Sequence, residues 1–289
     1  MNETIRSISE NKIVPYLKFG LLAGLVILLY YPEIRFMVSE WSKHEYSHGF
    51  LIPLISGYII WKKREVLRAS PVQPEYEGFF VFLAGIALLV IGHVVFESSI
   101  RRYSLIITIM GLIYFLLGKR MSKILLFPVG YLIFMIPIPY IMFKSMAVHL
   151  RFINTKAACT ISESLGIPLI QDGATLLLPN ATLQVIDWCT GIQSIVAVSA
   201  LCFFYAYLTQ RSLVSKITLI ILSVPLAIIG NIFRIVINIS LAYLYGPYVL
   251  SGSIHQFQGM INFLCTLFLL FIVGSIINKI EMKLTSKKT

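Results

Sequence analysis

A chain of 289 residues that is 57% hydrophobic and only 13% charged, with a mean hydropathy of +0.83, is not a soluble globular domain, where roughly 25% of residues carry charge. Its net charge of +11 sits in short loops between apolar runs, where topology charges are placed, which argues against nucleic acid as a partner. Four cysteines, Cys159, Cys189, Cys202 and Cys265, show no CxxC spacing, so neither a disulfide framework nor a zinc site is expected, and no cofactor or other metal.

In chain order the apolar segments run about Val14–Tyr31, Gly49–Trp61, Gly78–Phe96, Tyr103–Gly118, Ile124–Phe143, Gly191–Leu208, Ile217–Ile237 and Gly259–Ile277. The first has no small-residue cleavage site and is long enough to stay as a span. The second and fourth are short against the roughly 20 residues that a crossing needs. No internal repeat or low-complexity linker divides the chain. The expected fold is an all-α polytopic membrane bundle of about eight spans, forming a single domain over residues 1–289.

Orientation follows from Lys and Arg. With the N-terminus cytoplasmic, inside segments hold 16 of the 24 positive residues, among them Lys62, Lys63, Arg64, Arg68, Lys119, Arg120, Lys123, Arg211, Lys216, Lys279 and Lys283. Outside segments keep eight: Arg35, Lys43, Arg101, Arg102, Lys144, Arg151, Lys156 and Arg234. This bias places both termini inside. The longest outside segment, Lys144 to Thr190, starts with a helical pattern through about Leu165 that could lie along the interface. It then reads as a small extracytoplasmic hairpin: Ala174–Leu178, a Pro179-Asn180 turn, and Thr182–Ile186.

The hairpin leads into Asp187-Trp188-Cys189-Thr190-Gly191-Ile192-Gln193, a thiol at the mouth of an apolar span. Two further polar groups follow. Asn231, Arg234 and Asn238 stand at i, i+3 and i+7, and His255, Gln258 and Asn262 repeat that spacing on the next span. At about 1.5 Å per helical residue, Cys189 lies about 33 Å from Arg211, Arg234 about 27 Å from Lys216, and His255 about 36 Å from Lys279. Against a hydrocarbon core of about 30 Å, all three reach the outer membrane face. Exposing such groups to lipid is costly, so the polar faces should turn toward one another.

Each residue has a plainer reading beside the functional one. A lone membrane cysteine is usually a small hydrophobe, the reading taken for Cys202 and Cys265. Arg234 could be a snorkelling anchor, and His255 a helix-end hydrogen bonder. His93 and His149 have no polar neighbours at helical spacing and are read as structural. Taken together, Cys, His and Arg suit acyl transfer by a thiol. The thiolate is the nucleophile, His255 the general base and then acid, and Arg234 the group that holds the oxyanion or the substrate backbone.

At these residues the chain resembles the exosortase/archaeosortase family of membrane transpeptidases. The resemblance is carried by Asp187-x-Cys189-Thr190-Gly191, Asn231-x-x-Arg234, His255-x-x-x-Gly259, and Trp41-x5-Ser47-His48-Gly49 followed by Tyr58 and Trp61. Thr190 stands where the family usually has Ser, and Asp187 where Glu is more frequent; both keep the functional group. The resemblance implies Cys189, Arg234 and His255 as catalytic residues. Around them, Asp187, Thr190, Gly191, Gln193, Asn231, Asn238, Gln258, Asn262 and His48 are expected to support the site or bind substrate. It also implies the substrates: secreted proteins with a C-terminal signal made of a short motif such as Pro-Glu-Pro, a membrane span and a basic tail. The acyl group would pass to an amine acceptor, lipid- or glycan-linked in one form. Other readings remain: a cysteine protease with water as acceptor, a solute transporter, and a non-catalytic assembly scaffold. A transporter would carry its polar groups nearer mid-membrane, in matching halves.

Overall fold

The computed structural model describes residues 20–286 apart from 174, 185–190, 247 and 249–251, and apart from the side chains of 44, 45, 184, 252–256 and 284–286. Helix makes up 83% of the structure, which gives the all-α class. Among the described residues, five helices are long and apolar enough to cross a membrane, and two bent helix pairs raise the number to seven. The chain falls into two compact units, Met1–Pro139 and Tyr140–Thr289.

The first unit contains α1 (Gly20–Leu29), α2 (Tyr31–Trp41), a 3-10 turn (His44–Phe50), α3 (Leu51–Lys62), α4 (Arg64–Ala69), α5 (Glu77–Val94), α6 (Ser98–Leu117), α7 (Lys119–Tyr131) and a second 3-10 turn (Leu132–Met135). Its tightest element is the α5–α6 hairpin. Gly78, Gly85 and Gly92 recur every seven residues along the buried face of α5. A Cβ at Gly78 would stand 2.5 Å from Phe115 Cα, so the two backbones meet there. Small residues allow this close approach between membrane helices, where dispersion contacts replace the hydrophobic drive.

The fourth apolar segment is longer than its sequence suggests: α6 has 20 residues and takes Arg101 and Arg102 into its first turns. Buried Glu33 of α2 explains this, because its carboxylate meets Arg101 Nε at 2.8 Å and Arg102 Nε at 3.2 Å. Glu97 caps the helix by accepting from Ser99 N–H at 3.0 Å. That backbone bond first, and then the Ser99 hydroxyl, hold the Glu97 carboxyl below the usual carboxylate range, with Arg102 and Arg101 adding to the shift.

The fifth segment is broken. Pro128 lies inside α7 and has no N–H, which frees the carbonyl four residues back. Lys63 Nζ donates to that carbonyl, Ile124 O, at 3.0 Å, and Ser56 Oγ donates to Pro128 O at 2.8 Å.

The second unit contains α8 (Tyr140–Ser164), a three-stranded sheet, α9 (Ile192–Thr209), α10 (Leu213–Tyr245) and α11 (Gly252–Ser286). The expected hairpin is β2 (Thr175–Leu178) and β3 (Ala181–Gln184). They are antiparallel with Leu178 opposite Ala181, which leaves Pro179-Asn180 as the two-residue turn. Asn180 Nδ2 donates to Tyr243 O at 2.8 Å and fastens the turn to α10. A third strand, β1 (Ile170–Asp172), pairs on the far side of β2; three residues are too few to show alternation in sequence.

The helical start expected for the 144–190 segment is present and has a packing partner. It is α8, which packs on α10 and touches α9, burying a stripe of Ala147, Asn154, Thr155, Ala158, Cys159 and Ser162. Two apolar clusters hold the unit together. One comprises Ile195, Val198, Cys202, Ala206, Leu219, Ala227 and Leu270, with Leu150 and Ile228 against it. The other comprises Ala158, Cys159, Ile167, Leu176, Leu178, Ile235, Val236 and Ile239, with Ile232 against it.

Candidate functional site

Asp187, Trp188, Cys189 and Thr190 lie outside the described residues, as does the side chain of His255, which belongs to the first turn of α11. The residues next to them in the chain are described, and those define a site within the second unit.

Gly191 precedes α9 with φ of 80°, a left-handed conformation that costs other residues roughly 1–2 kcal/mol. Space demands glycine as well. A Cβ at Gly191 would stand 2.6 Å from Asn231 Cγ and 2.8 Å from Asn231 Cβ. The turn two residues after Cys189 is therefore pressed onto α10 at Asn231, a residue only 1% exposed.

One turn further along α10, the Arg234 guanidinium lies over α11. A Cβ at Gly259 would stand 3.1 Å from one terminal guanidinium nitrogen and 3.3 Å from Arg234 Cζ. Gly259 is one turn after His255, and the missing side chain opens the groove that the guanidinium fills. Below this crossing Gly230 meets Thr266, which fixes how α10 and α11 face each other.

The polar faces read from the spacing do turn inward. Asn231 and Asn238 are buried, and Gln193 and Gln258 present buried amide atoms. Gln193 Nε2, Asn238 Oδ1 and both amide heteroatoms of Gln258 have no hydrogen-bond partner among the described residues. Leaving such groups unpaired costs about 1–3 kcal/mol each, which makes these three amides candidates for contact with a bound ligand. Asn262 stands one turn beyond Gln258, half-buried, and its main-chain oxygen accepts from Thr266 Oγ1 at 2.9 Å.

The remaining candidate, His48, belongs to the first unit, half-buried in the 3-10 turn with its ring 6.4 Å from that of Tyr46. Around it the Trp41 motif has a packing explanation. The Trp41 indole donates to Met135 O at 2.7 Å, meets the Phe50 ring edge-on at 5.3 Å, and fills the space where Gly49 would carry a Cβ.

Cys159 and Cys202 are buried free thiols and Cys265 is an exposed one. Cys202 Sγ donates to Leu219 O at 3.4 Å within an apolar cluster, as a structural cysteine does. His93 and His149 each donate from Nδ1 to the carbonyl one turn back, Leu89 O at 2.9 Å and Ser145 O at 2.8 Å.

The sequence reading missed α8. Thr155 and Ser162 are wholly buried and their hydroxyls lack partners among the described residues, while Asn154 beside them is also 0% exposed. Their spacing from Arg151 onward, i, i+3, i+4 and i+11, was available as a signal. The charges at Lys144, Arg151 and Lys156 obscured it by making the helix look superficial.

A family model described as transmembrane exosortase matches residues 41–272, which takes in the Trp41 motif, the sheet and every polar group of the site. No curated protein and no solved structure matches the chain.

Proposed function

The chain belongs to the transmembrane exosortase family, membrane-embedded cysteine transpeptidases that act in protein sorting, and we propose that Cys189, His255 and Arg234 carry that chemistry here. The observation that supports this most is a chain of neighbours. Gly191, two residues from Cys189, rests on Asn231; Arg234, one turn on, reaches Gly259; and Gly259 is one turn from His255. Gly191 and Gly259, 68 residues apart in sequence, are thus linked through two residues one turn apart on α10.

In the proposed reaction the Cys189 thiol gives its proton to His255, and the sulfur attacks a substrate carbonyl carbon. The tetrahedral oxyanion is held by the Arg234 guanidinium, a planar donor that stays protonated. Collapse breaks the C–N bond and forms a thioester, while His255 returns the proton to the leaving amine. An acceptor amine then attacks the thioester, passes its proton to His255 and releases the Cys189 thiolate, which regains a proton. With water as the acceptor the same steps give hydrolysis. Asp187, Thr190, Gln193, Asn231, Asn238, Gln258 and Asn262 bind substrate or hold these groups in place, and His48 is assigned a supporting part.

The substrates proposed are secreted proteins with a C-terminal motif, membrane span and basic tail. A substrate helix parked in the bilayer presents the bond beside its span at the extracytoplasmic face, where the charge bias puts the site. Cys189→Ala is expected to remain folded and inserted while such proteins accumulate uncut; Cys202→Ala and Cys265→Ala should process them as the parent does. Immunoblots of substrate size at matched enzyme levels check this, and undiminished processing by Cys189→Ala overturns the assignment.

A further inference from the structure

Thr155 is 0% exposed and its hydroxyl has no hydrogen-bond partner among the described residues. A threonine within a helix ordinarily places that hydroxyl on the carbonyl one turn back, as Thr160 of the same helix does on Lys156 O at 3.1 Å. Thr155 leaves this option unused, in surroundings where an orphan hydroxyl is destabilising.

The two apolar clusters locate it. Leu150 packs against the cluster containing Ile195 and Ala227, whereas Ala158 and Cys159 belong to the one containing Ile235 and Ile239. Asn154 and Thr155 occupy the gap between them on α8. On α10 the same gap falls between Ile228, which packs on the first cluster, and Ile232, which packs on the second. The residues there are Ile229, Gly230 and Asn231, and Gly191 rests on the last of them. Since α8 packs on α10 and touches α9, Thr155 stands at the height of the Gly191–Asn231 contact.

We propose that Thr155 is a positioning residue of this site, its hydroxyl hydrogen-bonding the main chain of the peptide bound there. This rests on the transpeptidase reading and adds α8 as a fourth wall. The orphan atoms around the site are Thr155 Oγ1 from α8, Gln193 Nε2 from α9, Asn238 Oδ1 from α10 and the Gln258 amide from α11. All four helices contribute neutral groups, and donors and acceptors are mixed. A phosphate would call for donors throughout and a metal cation for acceptors throughout. A peptide main chain, with its N–H and C=O groups in alternation, uses both.

The test uses the full chain in lipid vesicles, with a synthetic peptide carrying the C-terminal signal of a host secreted protein as probe. Thr155→Val removes the hydroxyl and keeps the shape; Thr155→Ser keeps the hydroxyl. Because the resting hydroxyl has no partner, Thr155→Val should hold or raise the thermal unfolding midpoint. Its kcat/KM should fall about tenfold, the equivalent of one ordinary hydrogen bond, and Thr155→Ser should recover most of that loss. Parent-like turnover by Thr155→Val overturns the proposal, as does a lowered midpoint that Thr155→Ser fails to restore, which marks a purely structural residue. Cys189→Ala runs alongside. If it still processes the probe, the transpeptidase reading fails and this inference with it; if it is inactive while Thr155→Val is normal, only this inference fails.

Discussion

Gly191 has two reasons to be glycine, and they separate in a mutant. Its positive φ makes any side chain cost roughly 1–2 kcal/mol, and its contact with Asn231 leaves a Cβ only 2.6 Å from Asn231 Cγ. The strain is local and modest, but the displacement acts on a buried residue one turn from Arg234. Gly191→Ala is therefore expected to insert with a thermal midpoint lowered by only a few degrees, and to lose most of its processing activity. Comparing midpoint and turnover in the same membranes checks this; full turnover would separate the Gly191 turn from the chemistry. Gly259 is more forgiving, because a Cβ there meets the end of a flexible side chain at 3.1 Å.

At the scale of elements, the interaction between α2 and α6 is the one most exposed to a single change. Glu33 has a side chain 9% exposed and neutralises two arginines, of which Arg102, 7% exposed, also lies over the Phe36 ring at 4.1 Å. Removing one partner of a buried ion pair strands the other, at about 3–5 kcal/mol. Glu33→Ala should lower stability by that order, read from thermal or denaturant unfolding in detergent. The contrast is Glu40→Ala. Its partner Lys43 is 55% exposed although the pair is short, 2.6 Å, and exposed pairs contribute about 0–1 kcal/mol. Equal effects from the two substitutions would show that the Glu33 cluster is open to water. The sheet works differently: Asn180 ties its turn to Tyr243 O, and Leu176 and Leu178 are buried in the cluster that contains Ile235 and Ile239, so it is seated by α10 and not by strand propensity.

For the whole molecule, the side of each terminus depends on one short element. The two bent pairs and five single helices make up to seven crossings, and seven would put the termini on opposite sides, whereas the charge bias puts both inside. The difference is α3, whose 12 residues extend about 18 Å. The 3-10 turn before it runs directly into it, and end to end the two reach about 32 Å, enough for an eighth crossing. Single cysteines at Lys62 and Lys283 should then stay unlabelled by an impermeant thiol reagent added outside, while one at Gln171 in β1 should react. Outside labelling at Lys62 and Lys283 together would reverse the topology, and a cysteine at Lys43, before the 3-10 turn, reports on α3: it should react while Lys62 stays protected, and equal reactivity at Lys43 and Lys62 would mean that α3 does not cross. Of the eight positive residues that the charge reading assigns to the outside, Lys43, Arg101 and Arg102 have carboxylate partners, a packing reason for charges that weaken the bias.

Composition and period were enough for the all-α membrane class, the Pro179-Asn180 turn, and the inward faces of Asn231/Asn238 and Gln258, because lipid forbids unpaired polar groups and a turn needs only local chemistry. The family motifs were likewise visible as residues in order. Tertiary structure decided what depends on partners distant in sequence. Arg101 and Arg102 read as a loop until Glu33 offers them a buried carboxylate. The 3-residue β1 exists only where β2 presents an edge. The charges of α8 suggested a surface helix, but its buried stripe belongs beside α10, and the orphan hydroxyl of Thr155 acquires meaning only from the height at which two apolar clusters hold it. Spacing along a chain reports which residues share a face; which faces meet is settled by packing, and packing is where this site takes its shape.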